Sequence, residues 1–302
     1  MSADPISTSH IHLNGAILPI EKAQISVLDR GFLFGDGVYE LVRVFSGVPL
    51  AMDQHVQRLE KSLHATGITG FEAAGYHAIV EELLQVNHLE DACIYLQVTR
   101  GQGPLREHLP EPSVAPTVFA MAAPSPGVAS LDAPHTTKAI LHPDERWVRC
   151  EIKAITLLPN VLAMISANEH DATEAILHRE GLITEGTSSN VLVVIDGCLC
   201  TPPITPTHSI LHGTMRTLAL KAAAEEGIQS EERPITLNEL PSASEMALTS
   251  SRRLLHRLTH LDGAPIGTDD GASSVIDRVF TRMRAMIISA IEDRDRAIQM
   301  AP

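Results

Sequence analysis

The run Arg149-Cys150-Glu151-Ile152-Lys153-Ala154-Ile155-Thr156-Leu157-Leu158 sets a lysine in apolar, strand-like sequence. It is one of only five lysines, and the other four, Lys22, Lys61, Lys138 and Lys221, lie in polar or helical surroundings of a surface kind. Taking an ammonium out of water costs several kcal/mol, roughly, unless the charge is paired or neutralised. Desolvation also lowers an amine's pKa and makes it a nucleophile that condenses with carbonyls. Lys153 is therefore either a strand-end lysine whose head reaches water along its own stem or a reactive amine.

Further motifs stand on both sides of it. Downstream come Gly181-Leu182-Ile183-Thr184-Glu185-Gly186-Thr187-Ser188-Ser189-Asn190 and then Ile210-Leu211-His212-Gly213-Thr214-Met215-Arg216. Upstream are Leu28-Asp29-Arg30-Gly31-Phe32-Leu33-Phe34-Gly35-Asp36-Gly37-Val38-Tyr39-Glu40 and Gln54-His55-Val56-Gln57-Arg58-Leu59. Together, and in this order, they resemble the fold-type IV (class IV) aminotransferases, which use pyridoxal 5'-phosphate. Within that family the look is that of the D-amino-acid transaminases. The resemblance runs from about Ile11 to Ile287.

Composition narrows the partners. The chain has 302 residues, 44% of them hydrophobic and only 3% aromatic, so Leu, Ile, Val and Ala must fill most of the core. A net charge of −14 argues against nucleic acid or an anionic membrane as partner. No apolar run approaches the ~20 residues of a membrane span. Residues 1–7 lack the basic and apolar regions of a signal peptide. Cys93, Cys150, Cys198 and Cys200 are too sparse for a disulfide framework, and Cys198 and Cys200 are read as strand packing, with no metal site. The protein is expected to be cytoplasmic.

Residues 11–13, 15–19 and 40–45 read as short strands, followed by the turn Ser46-Gly47 and a strand into Ala51. Asp53 is a plausible N-cap for a helix to about Ala65, with Val56, Leu59 and Leu63 on one face. A second helix covers residues 71–87, and residues 93–99 and 117–122 form paired strands. The turn-rich segment 123–130 is the best linker, giving an N-terminal α/β domain over 1–122 and a cofactor-binding domain over 131–302. In the second half, residues 138–141 and 175–178 read as extended and 160–171 as helical. Asp196-Gly197 marks a hairpin between 191–195 and 198–201. Residues 214–226 form a helix with Gly227 as its C-cap candidate, and residues 273–294 a final long one.

The resemblance implies an α/β (α+β) fold of two domains: a small N-terminal α/β domain and a larger C-terminal pseudo-barrel α/β domain, with the cofactor between them. It also implies a homodimer. A pyridoxal phosphate enzyme needs an amine for C4′, an acid opposite the pyridine nitrogen and donors for a dianionic phosphate. The family pattern gives Lys153 the first role, as the Schiff-base lysine, and Glu185 the second. Glu185 alone would otherwise read as a surface-turn carboxylate. For the phosphate, Gly213, Thr214 and Met215 open a helix whose free N–H groups face an anion. Thr249, Ser250 and Ser251 supply hydroxyls, and Arg58 matches the family's phosphate arginine, although alone it would read as a solvated helix charge. Tyr39 falls where the family sets an aromatic beside the cofactor, with core packing as the alternative.

On the substrate side, Thr99-Arg100-Gly101-Gln102-Gly103-Pro104-Leu105-Arg106-Glu107-His108 resembles the carboxylate-binding loop of D-amino-acid transaminases. Arg106 and His108 reproduce its Arg-x-His spacing, displaced by about one residue relative to the flanking prolines. A solvent-facing loop is the alternative. Arg252 and Arg253, after the hydroxyl loop, depart from the relatives. The reading is a transaminase moving an amino group between a D-amino acid, of the D-alanine and D-glutamate class, and a 2-oxo acid. Alternatives are a branched-chain L-amino-acid transaminase, 4-amino-4-deoxychorismate lyase, and a non-catalytic metabolite-binding protein.

Overall fold

The computed structural model describes residues 9–112, 114–205, 209–267 and 274–299. The chain forms two compact units. The first takes the described residues up to Ser130, then Ile152–Thr156, then those from Ala290 onward; the second takes Leu131–Glu151 and Leu157–Ser289. The Lys153 segment thus belongs with the first unit although both its flanks belong with the second, a discontinuity that a linear division at 123–130 does not contain.

In the first unit, strands β1 (His10–Leu13) and β2 (Ala16–Pro19) are followed by the short helix α1 (Arg30–Phe34), β3 (Gly37–Phe45) and β4 (Val48–Pro49). Helices α2 (Met52–Thr66) and α3 (Gly75–Val86) then lead into β5 (Ala92–Thr99) and β6 (Thr117–Pro124). The strands make an antiparallel sheet in the order β2-β1-β6-β5-β3-β4. Period-two alternation in β5 buries Ala92, Ile94, Leu96 and Val98 in one core with Leu59 and Leu63 of α2 and Ile79 and Leu83 of α3. The buried face of α2 also carries His55, Arg58 and Ser62. Asp53 does not cap this helix. Ala51, left-handed at φ 53°, stands at the N-cap without a side-chain bond, and Asp53 lies in the first turn, where its charge still complements the helix dipole.

The second unit contains β7 (His135–Pro143), α4 (Leu158–Glu169), β8 (Glu174–Arg179), β9 (Leu182–Gly186), β10 (Asn190–Ile195) and β11 (Cys198–Thr201). After these come α5 (Thr214–Glu225), β12 (Ser230–Glu232), β13 (Glu245–Ser250), β14 (Leu254–Leu261), β15 (Ala264–Pro265) and α6 (Val275–Gln299). Its mixed sheet runs β12-β11-β10-β13-β14-β7-β8-β9, with β15 on β14, and curls into a half-barrel. The parallel pairs β7–β8 and β11–β12 are bridged by α4 and α5, as parallel neighbours require. Asp196 and Gly197, at φ 51° and 76°, make the hairpin turn that their identity demands. Helix α6 is expected over 273–294; Ser273 lies outside the described residues, and the helix continues to Gln299. Among the described residues no helix is long and apolar enough to cross a membrane.

Candidate active site

Lys153 is not in a strand. It sits in an irregular segment joined to β3 by a single bridge, Val38 to Ala154. Its carbonyl accepts from the Tyr39 N–H at 2.9 Å, and the Ile155 N–H donates to the Gly37 carbonyl at 3.1 Å. Its own N–H donates to Ser62 Oγ of α2 at 3.3 Å. Backbone groups so fixed hold the side chain where Nζ lies 4.0 Å from the centroid of the Tyr39 ring. Lys153 is half-buried, while Lys22, Lys61, Lys138 and Lys221 are all exposed.

Arg58 is buried in the same unit, and it has a partner that the sequence did not announce. Glu40, fully buried in β3, accepts from Arg58 Nε and Nη2, each at 2.7 Å, and lies 2.7 Å from His55 Nδ1. Burial pushes the Glu40 carboxyl up, but the charge and hydrogen bonds of Arg58, helped by His55, overcome this and hold it at about 2. Burial keeps His55 below its ordinary range despite Glu40. The three-residue spacing of His55 and Arg58 puts both on one face of α2, but nothing in it names Glu40 as their partner.

In the second unit Glu185 is buried in β9, and three groups fix its carboxylate. Arg146 Nη1 donates to Oε1 at 2.5 Å; Asn190 Nδ2 and the Leu211 N–H donate to Oε2 at 3.2 and 3.1 Å. Arg146 is held in turn by Asp144, whose Oδ2 also accepts from Thr184 Oγ1 at 2.9 Å. Burial opposes the Arg146 charge, but Glu185 and Asp144 more than restore it, raising its pKa. The turn after Glu185 is gathered by Glu174, a residue that no sequence motif marks. The buried Glu174 carboxylate accepts from the Thr187 N–H and hydroxyl, from Ser188 Oγ at 3.4 Å and from Ser189 Oγ at 3.3 Å. Nothing in the spacing of Arg146 or Glu174 marks them in advance.

Helix α5 begins at Thr214 with Gly213 as its N-cap and no side-chain capping bond. A Cβ on Gly213 would lie 1.8 Å from Asn190 Oδ1, so glycine there lets the asparagine reach Glu185. Thr214 and Met215 are buried, and Thr214 Oγ1 lies 3.3 Å from Ser251 Oγ. Ser250 Oγ accepts from the Arg253 N–H at 3.2 Å. Thr249 Oγ1 is buried without a hydrogen-bond partner among the described residues. Leu254, just after this turn, is buried with a strained φ of 58°. Arg252 is exposed and Arg253 half-buried.

Arg106 and His108 are both exposed, on the loop between β5 and β6 of the first unit. Both lie against Phe34: Arg106 Cζ is 5.0 Å from its ring centroid, and the His108 ring centroid 5.4 Å away. Cys198, Cys200 and Glu231 bring ligand atoms within 4.8 Å of one another, but Arg233 Nε stands 3.4 Å from Glu231 and opposes a second cation there.

The model of the amino-transferase class IV family matches residues 37–260. This chain belongs to the class IV aminotransferases. It is 38% identical over 256 residues to a D-alanine aminotransferase of Bacillus licheniformis, covering 84% of this chain and 89% of that one. To a D-alanine aminotransferase of Staphylococcus epidermidis it is 34% identical over 274 residues, 89% of this chain and 94% of the relative. The crystal structure of the branched-chain amino acid aminotransferase of Escherichia coli shares the fold, with a TM-score of 0.80 and 23% identity over 90% of this chain and 92% of that one.

Class IV aminotransferases use pyridoxal phosphate and act on amino acids and oxo acids. The second unit fits the cofactor's charged end. A helix N-terminus without a side-chain cap and a buried hydroxyl lacking a partner among the described residues are what a dianionic phosphate calls for.

Proposed function

We propose that this aminotransferase moves an amino group between a D-amino acid, of the D-alanine and D-glutamate class, and a 2-oxo acid. The observation that carries the catalytic part is Lys153, half-buried, with its backbone pinned to β3 and α2 and its ammonium over the Tyr39 ring. The D preference draws support from the likeness to proteins named D-alanine aminotransferases and from the Arg-x-His pair Arg106 and His108.

In this reading Lys153 holds the cofactor covalently. Glu185 faces its pyridine nitrogen, and Gly213, Thr214, Met215, Ser250 and Ser251 take its phosphate together with Arg58, two of whose nitrogens are braced by Glu40. When bound, pyridoxal phosphate supplies the electron sink for the substrate α-carbon. The Lys153 amine would hold the cofactor and, when free, would take the proton from the substrate Cα as base and return it as acid. Tyr39 bounds the swing of that amine. Glu185 keeps the proton on the pyridine nitrogen, and Arg146, Asn190 and the Leu211 N–H keep Glu185 aimed. Arg106 and His108 pair with the α-carboxylate.

The working unit in this reading is a homodimer. Leu158, Val161, Leu162 and Ile165 form an exposed apolar stripe along α4 of the kind a second copy would cover.

The test is a half-reaction with purified cofactor-loaded protein, following the visible absorbance of the bound cofactor. D-alanine should deplete it faster than L-leucine. A win for L-leucine or L-valine would replace the D reading with the branched-chain one, and no response to either would turn attention to elimination from aminodeoxychorismate. Borohydride should fix the cofactor to the peptide carrying Lys153; label on another lysine would remove the catalytic assignment.

A further inference from the structure

Arg30 and Phe34 have no part in the roles given so far, yet the loop of Arg106 and His108 hangs on them. Arg30 is 5% exposed in α1. Its Nη1 donates to the Glu107 carbonyl at 2.5 Å, its Nη2 to the His108 carbonyl at 2.9 Å and its Nε to Asp36 Oδ2 at 2.8 Å. Asp36 also accepts from Arg100 Nε at 2.8 Å and Nη2 at 3.0 Å. Arg100 in turn donates to the carbonyls of Thr66 and Gly67 at the C-terminus of α2. Burial pushes the Asp36 carboxyl up, but hydrogen bonds and charge from Arg100 and Arg30 hold it below the ordinary carboxylate range, so the clamp stays closed at neutral pH.

Phe34 supplies the other half. Its ring lies 4.8 Å from Arg30 Cζ, 5.0 Å from Arg106 Cζ and 5.4 Å from the His108 ring centroid. The loop has no strand or helix around Arg106 to stiffen it. One guanidinium therefore holds the backbone, and one ring supports both exposed side chains. An exposed Arg and His that had to be ordered by each substrate would lose part of their binding energy in doing so; ordered beforehand, they do not.

We infer that Arg30 and Phe34 are positioning residues for substrate recognition, setting Arg106 and His108 in advance for an α-carboxylate. This rests on the carboxylate role proposed above for that pair. Arg30 and Phe34 then act through the loop and touch neither substrate nor cofactor.

The experiment uses the cofactor-loaded enzyme and the variants Arg30→Met, Arg30→Lys, Phe34→Leu and Arg106→Ala, each assayed with the amino acid that the wild type turns over fastest. Arg30→Met and Phe34→Leu should raise KM about tenfold while kcat stays within about threefold. The inhibition constant of propionate should rise in the same proportion, that of propionamide should not change, and Arg30→Lys should fall between wild type and Arg30→Met. As a readout independent of turnover, trypsin should cut after Arg106 in native Arg30→Met at least about fivefold faster than in wild type. Should Arg30→Met fail to fold, Phe34→Leu, at a half-buried position, carries the kinetic test alone. A raised KM in Arg106→Ala with unchanged KM in Arg30→Met and Phe34→Leu would overturn this inference and leave the carboxylate reading standing. An unchanged KM in Arg106→Ala would remove the carboxylate reading itself, and this inference with it. Equal losses of kcat and kcat/KM in Phe34→Leu would reduce the clamp to a scaffold role.

Discussion

Glu185 and Thr249 illustrate at the residue scale how a side chain's neighbours decide what it can do. Glu185 is one half of a buried pair with Arg146, and removing one partner of such a pair costs roughly 3–5 kcal/mol. In the proposed site, Glu185→Gln would also give the pyridine nitrogen an amide that cannot hold its proton. Turnover is expected to fall by about two to three orders of magnitude while the cofactor survives dialysis, measured by steady-state kinetics and absorbance. Near-normal turnover would put Glu185 elsewhere than opposite the nitrogen. Thr249 gives an opposite pair of effects. Its hydroxyl is buried without a partner among the described residues, a cost to the empty protein that a phosphate oxygen would remove. Thr249→Val should raise the stability of the cofactor-free protein by about 1 kcal/mol and weaken cofactor retention about tenfold or more. Thermal melts with and without cofactor check both signs; unchanged retention would exclude Thr249 from the phosphate site.

Strand β3 and helix α2 are joined at the element scale by Glu40, His55 and Arg58, and the join is sensitive to acid. The Glu40 carboxyl is held at about 2 against an ordinary 4.5, so its contribution is complete above pH 4.5 and is lost as pH falls toward 2. That shift corresponds to about 3 kcal/mol. His55 is held below its ordinary 6.5, so it favours the fold above that pH and opposes it as pH drops below it. Urea midpoints of the cofactor-free protein should therefore decline below pH 6.5 and more steeply below 4.5. Glu40→Gln should flatten the lower limb while costing roughly 3–5 kcal/mol at pH 7. A wild-type profile flat to pH 3 would mean that the trio does not couple β3 to α2. In the same elements the sequence pattern points to Asp53 as the cap, but the turn before α2 uses the left-handed Ala51, which no side-chain preference announces.

Helix α4 carries the consequence for the whole molecule. Ala163 and Ala167 are fully buried, whereas Leu158, Val161, Leu162 and Ile165 are half or more exposed at the i, i+3, i+4, i+7 spacing of one helix face. A helix with apolar residues on both faces is one that is covered twice. Val161→Glu and Leu162→Glu should each weaken self-association at least tenfold, read as a shift toward monomer in sedimentation velocity, with the helical circular dichroism retained. A wild-type chain that sediments as a monomer at micromolar concentration would leave the stripe to another partner.

The sequence by itself determined part of the element list, and its motifs carried the family likeness. Alternation and turn residues mark β5, β6 and the Asp196-Gly197 hairpin, because period and positive φ are local properties. Lys153 stood out for its apolar company, and the ordered motifs around it carried the class IV likeness. What the sequence left open is decided at long range. Lys153 rests on β3 by one bridge and not within a strand, because its segment leaves the second unit and returns to the first. Glu40 for Arg58, Arg146 for Glu185, Glu174 for the turn after it, and Arg30 for the Arg106 loop are pairings between residues far apart in the chain. A buried charge must find a partner, but which partner it finds is set by the packing of elements that no local pattern encodes.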